Sequence, residues 1–185
     1  MKATEILMEE HRVIERVLNT LETAAERLAR GLAVHPDFFL QATEFIKGFA
    51  DGCHHKKEEG VLFPTMVAHG MPSQSGPIAV MLTEHEQGRA YTRAMRSAAQ
   101  RLLDGETEAR AELIRNARAY VALLRQHIAK EDGVLFPMAN QVIPFERQNQ
   151  VALDFEKVEH EETGEGVHQK YLALAQALEK EIADA

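Results

Sequence analysis

The chain has 185 residues, 45% hydrophobic and 27% charged, which suits one globular domain with a substantial core. A formal net charge of −8, from 29 acidic against 21 basic residues, argues against nucleic acid or an anionic membrane as partner. No apolar stretch reaches the roughly 18 residues that span a bilayer, the N-terminus lacks a secretory core, and Cys53 is the only cysteine, so the cytoplasm is the expected compartment.

Strand-like alternation is absent, and the alanine, leucine, glutamate and arginine content favours helix. Thr4 is placed to cap a first helix that runs to about Arg30 and stops at Gly31. Pro36 suits the first turn of a second helix, which ends by Gly70. A turn-rich loop, MPSQSG, precedes a third helix that starts at Pro77. Asp104-Gly105 separates it from a fourth, over about Thr107 to Asn140. Pro144 opens a C-terminal region with a shorter helical stretch. Gly164 and Gly166 interrupt it before a last amphipathic helix, Val167 to Ile182. The prediction is an all-α protein: an antiparallel up-down-up-down four-helix bundle over residues 1–143, with a C-terminal helical extension, residues 144–185, packed on it.

Bundle-core stripes support this reading. They comprise Leu7, His11, Ile14, Leu18, Leu21, Ala25 and Leu28 in the first helix, and Ile78, Met81, His85, Gly88, Thr92, Met95, Ala99 and Leu102 in the third. In the fourth they comprise Leu113, Ala117, Tyr120, Leu124, His127, Glu131, Val134 and Met138. Each stripe holds one histidine where an apolar residue belongs. The second helix places His54 and Glu58 one turn apart.

The chain repeats itself. HHKKEEGVLFP, from His54, and HIAKEDGVLFP, from His127, agree at eight of eleven positions. His11 precedes His54 by 43 residues and His85 precedes His127 by 42. The sequence therefore encodes two helical hairpins of one design. Each VLFP segment is expected to end regular helix, because proline cannot take an interior helical hydrogen bond. At about 1.5 Å per residue, all four histidines lie roughly 30–33 Å from the turn of their hairpin, on one level of the bundle. Glu58 and Glu131 follow one turn further along the same faces.

Burying two carboxylates and four imidazoles is costly unless something pairs them, and the stripes offer no arginine beside the glutamates. A bound cation is the economical partner. Six donors exceed a tetrahedral zinc site. Two carboxylates from different helices suit two metal ions bridged by carboxylates and by oxide or hydroxide, with iron the leading candidate and manganese or zinc next. Six side chains and one or two bridges leave a coordination position open to dioxygen, peroxide, nitric oxide or water.

These residues, His11, His54-x-x-x-Glu58, His85 and His127-x-x-x-Glu131 with their EEGVLFP and EDGVLFP tails, resemble the hemerythrin-like, or HHE cation-binding, family over about residues 3–140. The resemblance implies a four-helix bundle around a non-haem di-iron centre. Oxygen-carrying members use five histidines, a glutamate and an aspartate. Here Arg89 stands where their third helix has a second histidine. Their fourth-helix spacing would select Asp132, whereas the internal repeat selects Glu131. The pattern is similar to bacterial members with one histidine fewer, which favours reactivity with peroxide or another small oxidant over simple oxygen carriage.

His55 could be an additional ligand beside His54, but its rotation of about 100° favours a flank or helix interface. Glu59 and Asp132 are expected as solvated or outer acids, Glu15 as a surface residue, and Tyr120 and Cys53 as core packing. His160 and His168 belong to an ordinary polar segment beside the bundle, and His35 and His69 to helix ends. The leading functional expectation is a di-iron protein that binds a small diatomic or peroxide ligand as sensor, store or scavenger. The alternatives are a catalase-like enzyme and a structural metal-binding bundle. A monomer or homodimer is expected.

Overall fold

The structure is a computed structural model that describes residues 2–163 and 166–184, with no side chain described over residues 161–163. Among the described residues there are helices and no strand. Helix α1 spans Ala3–Ala29. Its N-cap is Lys2 rather than Thr4, and the Glu5 carboxylate accepts the Lys2 backbone N–H at 2.8 Å. Thr4 is instead buried, its hydroxyl donating to Asn140 across the bundle at 3.1 Å.

The predicted glycine stops hold. Gly31 has φ +76°, and beyond it the Leu32 N–H reaches back to the Arg27 carbonyl at 3.0 Å. Gly105 has φ +97°, with the Glu106 N–H on the Arg101 carbonyl at 2.9 Å. Both hairpins thus close with the same left-handed glycine cap, a conformation that costs glycine little. The break predicted at Gly164 lies outside the described residues.

Helix α2 is composite. It begins as Pro36–Phe45, widens into a π-helical stretch over Ile46–His55 and again over Glu58–Leu62, and ends as Phe63–Ala68. Helix α3 is regular over Gly76–Leu103. Helix α4 runs over Ala109–Lys130, passes through a π turn at Glu131–Leu135 and continues as Phe136–Val142. Neither VLFP segment ends its helix, contrary to the sequence expectation. Pro64 and Pro137 each stand in the first turn of the α segment that follows a π turn. There the bonding changes register, and the amide that proline lacks is not required.

The π turn also corrects the core stripe of α4. Val134 is 51% exposed, and Leu135 and Phe136 are 1% exposed in its place. Widening the turn by one residue advances the buried face by one position, so the strict 4-3 pattern fails just beyond Glu131.

Helix α5 spans Phe145–Lys157 and runs into a π segment at Val158–Thr163, and α6 spans Val167–Asp184. Helix α6 buries Tyr171, Ala175, Leu178 and Ile182 in one core with Phe45 and Phe49. Gly48 permits this approach: a Cβ there would meet the Tyr171 hydroxyl at 1.8 Å. Helix α5 adds Val151 and Phe155 to a second core, with Leu7, Phe63, Met66 and Phe136. The four predicted histidines lie between these two apolar clusters. In α1, Leu7 belongs to one cluster and Ile14 to the other, with His11 between.

Candidate metal centre

The predicted donors converge. His11, His54, Glu58, His85, His127 and Glu131 are at most 1% exposed, and a fifth imidazole, His55, is 3% exposed among them. Donor atoms of His11, His54, Glu58 and Glu131 all lie within 4.8 Å of one another, and so do those of His55, Glu58, His85 and His127. Glu58 belongs to both groups. Its carboxylate lies 3.6 Å from His54 Nε2 through one oxygen and 3.4 Å from His85 Nε2 through the other. Glu131 likewise spans His11 Nε2 and His127 Nε2, each at 3.2 Å. Each carboxylate therefore reaches across the midline between two imidazoles.

Every one of the five rings is braced from behind. Nδ1 of His11 bonds Asp132 at 2.7 Å, His54 bonds Glu10 at 2.9 Å, and His55 bonds Asp51 at 2.8 Å. His85 bonds Glu59 at 2.6 Å and His127 bonds Glu84 at 2.9 Å. An ionised carboxylate only accepts, so Nδ1 carries the proton and Nε2 keeps its lone pair toward the centre. A ring of cations stands behind the acids. Arg12 pairs with Asp132, Lys57 with Glu10, and Lys130 with Glu84. Arg89 pairs with Glu59 at 2.7 Å and Asp51 at 3.5 Å.

This shell follows the duplication. Glu10-His11 and Glu84-His85 correspond, as do Lys57 and Lys130, and Glu59 and Asp132. Glu10 and Glu84 each hold the histidine of their own hairpin, while Glu59 and Asp132 each hold one from the other hairpin. One side breaks the symmetry. His55, Asp51 and Arg89 have Ile128, Leu124 and Glu15 as their counterparts.

The donor set fits a cation. His11 Nε2, His54 Nε2, His55 Nε2 and all four carboxylate oxygens of Glu58 and Glu131 are buried without a hydrogen-bond partner. Buried polar atoms are rarely left so, and seven facing one space indicate positive charge between them. Burial, reinforced by the charge of Glu131, pushes the Glu58 carboxyl well above its ordinary range. Burial holds His54 near 4 and, with His85 beside it, keeps His55 well below the usual imidazole range. Burial would also lower His11, but Asp132 and Glu131 outweigh it and raise the group to about 9. His54 and His55 are thus neutral and ready as nitrogen ligands, while on His11 a metal ion would take the place of the proton that the two acids favour.

Sequence reasoning did not place His55 in the cluster. An α-helical rotation turns it away from His54, and the repeat offers Ile128 as its match; the π-helical path of α2 brings it inward. His55 and His85 stack with ring centroids 3.8 Å apart. The cluster therefore has five imidazoles, not one fewer, and Arg89 stands behind the acids of two of them, His85 and His55, from the third helix instead of contributing a ring. Glu10, Glu84 and Lys57 were also missed, although their recurrence at matching places of the two hairpins was a readable signal. Glu15 pairs with Arg12 at the surface. Tyr120 is buried as core packing. His160 is exposed, and His168 meets Glu159 at 3.3 Å without joining the cluster. Cys53 is buried, and burial pushes its thiol up to about 12.

A family model described as the hemerythrin HHE cation binding domain matches residues 2–139. An uncharacterized protein of Mycobacterium tuberculosis is 27% identical over 180 residues, which cover 97% of this chain and 70% of that protein, and one of Mycobacterium bovis matches equally. The iron-sulfur cluster repair protein YtfE of Yersinia pseudotuberculosis is 35% identical over 89 residues, 46% of this chain and 40% of that protein. No solved structure matches significantly. With its family match spanning most of the sequence and its histidines and glutamates facing one buried space, the chain belongs to the hemerythrin HHE cation-binding domain family.

Proposed function

We propose that the chain holds two iron ions. His11 and His54 would serve one ion and His55, His85 and His127 the other, with Glu58 and Glu131 shared. The observation that carries this reading is the set of seven partnerless buried donor atoms in front of five carboxylate-braced imidazoles. Bound iron would supply redox chemistry and exchangeable coordination. The side with two imidazoles has fewer protein donors, so an added ligand would find room there. Because the donors are buried, that ligand is small: dioxygen, peroxide or nitric oxide. The protein would act as a sensor, store or scavenger of such a molecule, without a membrane or nucleic-acid partner.

Metal analysis with absorption spectroscopy, before and after exposure to oxygen and peroxide, tests this. About two irons per chain and oxo-to-ferric charge-transfer bands are expected. Two zincs with a featureless spectrum would reduce the centre to a structural clasp. Steady peroxide turnover that is lost in a His54→Ala/His127→Ala variant would make the protein a catalase-like enzyme. Glu58→Ala should lose more metal than Glu59→Ala; equal occupancy would contradict the ligand register.

A further inference from the structure

Beside the buried cluster, α2 and α3 enclose a groove of about 420 Å3. Thr43, Lys47 and Asp51 line it from α2 at intervals of four residues, and Arg89, Arg93 and Arg96 line it from α3 at intervals of four and three. These spacings put each trio on one helical face. Four cations therefore surround one carboxylate in a protein whose net charge is −8.

Four arginines elsewhere on the surface are paired, while among the described residues Arg30, Arg110, Arg115 and Arg147 stand singly and are not gathered in one groove. Arg16, Arg101, Arg118 and Arg125 each meet a glutamate between 2.6 and 2.9 Å. In the groove only Arg89 is fully engaged, by Glu59, Glu86 and Asp51. Arg96 has Glu44 at 4.0 Å and the Thr43 hydroxyl at 3.4 Å. Lys47 and Arg93 are exposed, and no carboxylate of the described residues pairs with either. Like charges one turn apart on α3 destabilise the helix unless an anion offsets them.

We propose that this groove binds a phosphate-class oxyanion through Lys47, Arg93 and Arg96, with Thr43 at its wall. The donors come from two helices and converge from different directions. That arrangement suits a tetrahedral dianion with oxygens on all sides better than a planar carboxylate, which one guanidinium fork satisfies. The groove's inner wall is the Asp51–Arg89 pair that braces His55 and His85, so the occupant would sit one residue behind the candidate centre. The proposal itself needs no metal there.

Isothermal titration of the full chain, with chloride-matched ionic strength, tests it using inorganic phosphate and glycerol phosphate in separate arms. One saturable site per chain is expected. Lys47→Ala/Arg93→Ala should weaken it by at least about tenfold, the worth of one lost charged hydrogen bond. Metal content and the melting temperature in phosphate-free buffer should stay at the wild-type values. Arg93→Glu, a single surface reversal, should abolish binding. Tighter binding of the ester would assign an organic phosphate; equal or weaker binding would assign the free anion. No heat beyond the chloride control in either arm, or unchanged binding in both variants, overturns the proposal.

Discussion

His85 and His127 face each other Nε2 to Nε2 at 3.1 Å. Both rings are held from behind by Glu59 and Glu84, so each presents a lone pair to the other. Two lone pairs at this separation repel unless positive charge lies against them. The same holds for Glu58 and Glu131, whose four oxygens are buried and partnerless. Metal should therefore carry a large share of the stability of this layer. Chelation is expected to lower the melting temperature by about 5–10 °C, which corresponds to binding at some hundred times the dissociation constant in a domain of this size. Restoring ferrous iron should reverse the loss. Calorimetry of the depleted and reloaded protein measures it, and identical melting of the two forms would mean that the cluster folds without a cation.

His55 is the place where the two hairpins differ most. It has an acid, Asp51, and behind that acid Arg89 of the third helix, where the matching positions of the repeat hold Leu124 and Glu15. A histidine that merely packed would not need this support. His55→Ala should halve the metal content, because it strips one donor from the group containing His85 and His127 and leaves His11 and His54 intact. Asp51→Asn should lower affinity less, by about 10–100-fold, as losses of an outer hydrogen bond to a ligand histidine do. Metal counts by mass spectrometry decide between these outcomes. Two ions retained by His55→Ala would return His55 to packing.

What the sequence revealed follows from the same geometry. His11, His54, His85 and His127 share one level because each hairpin spends nearly equal lengths of helix between its turn and its histidine, and a rise per residue suffices to compute that. The glycine stops at Gly31 and Gly105 were legible for a local reason, since only the residue's own φ decides them. Phase was not legible once a π turn intervened. Val134 reads as core and lies outside, Leu135 takes its place, and His55 reads as flanking and lies inside the cluster. The widened turns are set by tertiary packing and by where two prolines fall, and no single-residue propensity encodes them. Lys57 was invisible for a related reason, as a lysine on a core face is called surface until the glutamate that buries it is located.

That lysine is 1% exposed, with Glu10 on one side and Glu159 at 2.7 Å on the other. It links the brace of His54 to the C-terminal extension. Lys57→Met would leave the Glu10 carboxylate buried with the His54 hydrogen bond but without its cation, which costs up to about 3–5 kcal/mol. The double variant Lys57→Met/Glu10→Gln removes the orphaned charge and should regain most of that loss. It should still bind metal more weakly than wild type, because the amide is a poorer acceptor for His54. Urea unfolding and metal titration of the two variants separate the effects. A single variant as stable as wild type would show that water reaches Glu10.

The contact between Glu159 and His168 gives the extension a pH dependence with a definite sign. The His168 imidazole 3.3 Å away, helped by Lys57 and opposed by burial, holds Glu159 near 2, and Glu159 in turn raises His168 above 6.5. A depressed carboxylate contributes above its unfolded value of 4.5 and loses its effect as pH falls toward 2. A raised imidazole contributes fully below 6.5 and loses its effect as pH climbs through its folded value. The pair is thus strongest between about pH 5 and 6.5. Both side chains are about one-third exposed to solvent, so screening keeps the contribution under about 1 kcal/mol. His168→Gln should therefore melt about 2–4 °C below wild type at pH 6, and the two curves should converge near pH 9. Melting profiles across that range are the check, and a gap that widens with rising pH would mean that His168 acts as a neutral packing residue against Phe49, whose ring lies 5.3 Å away.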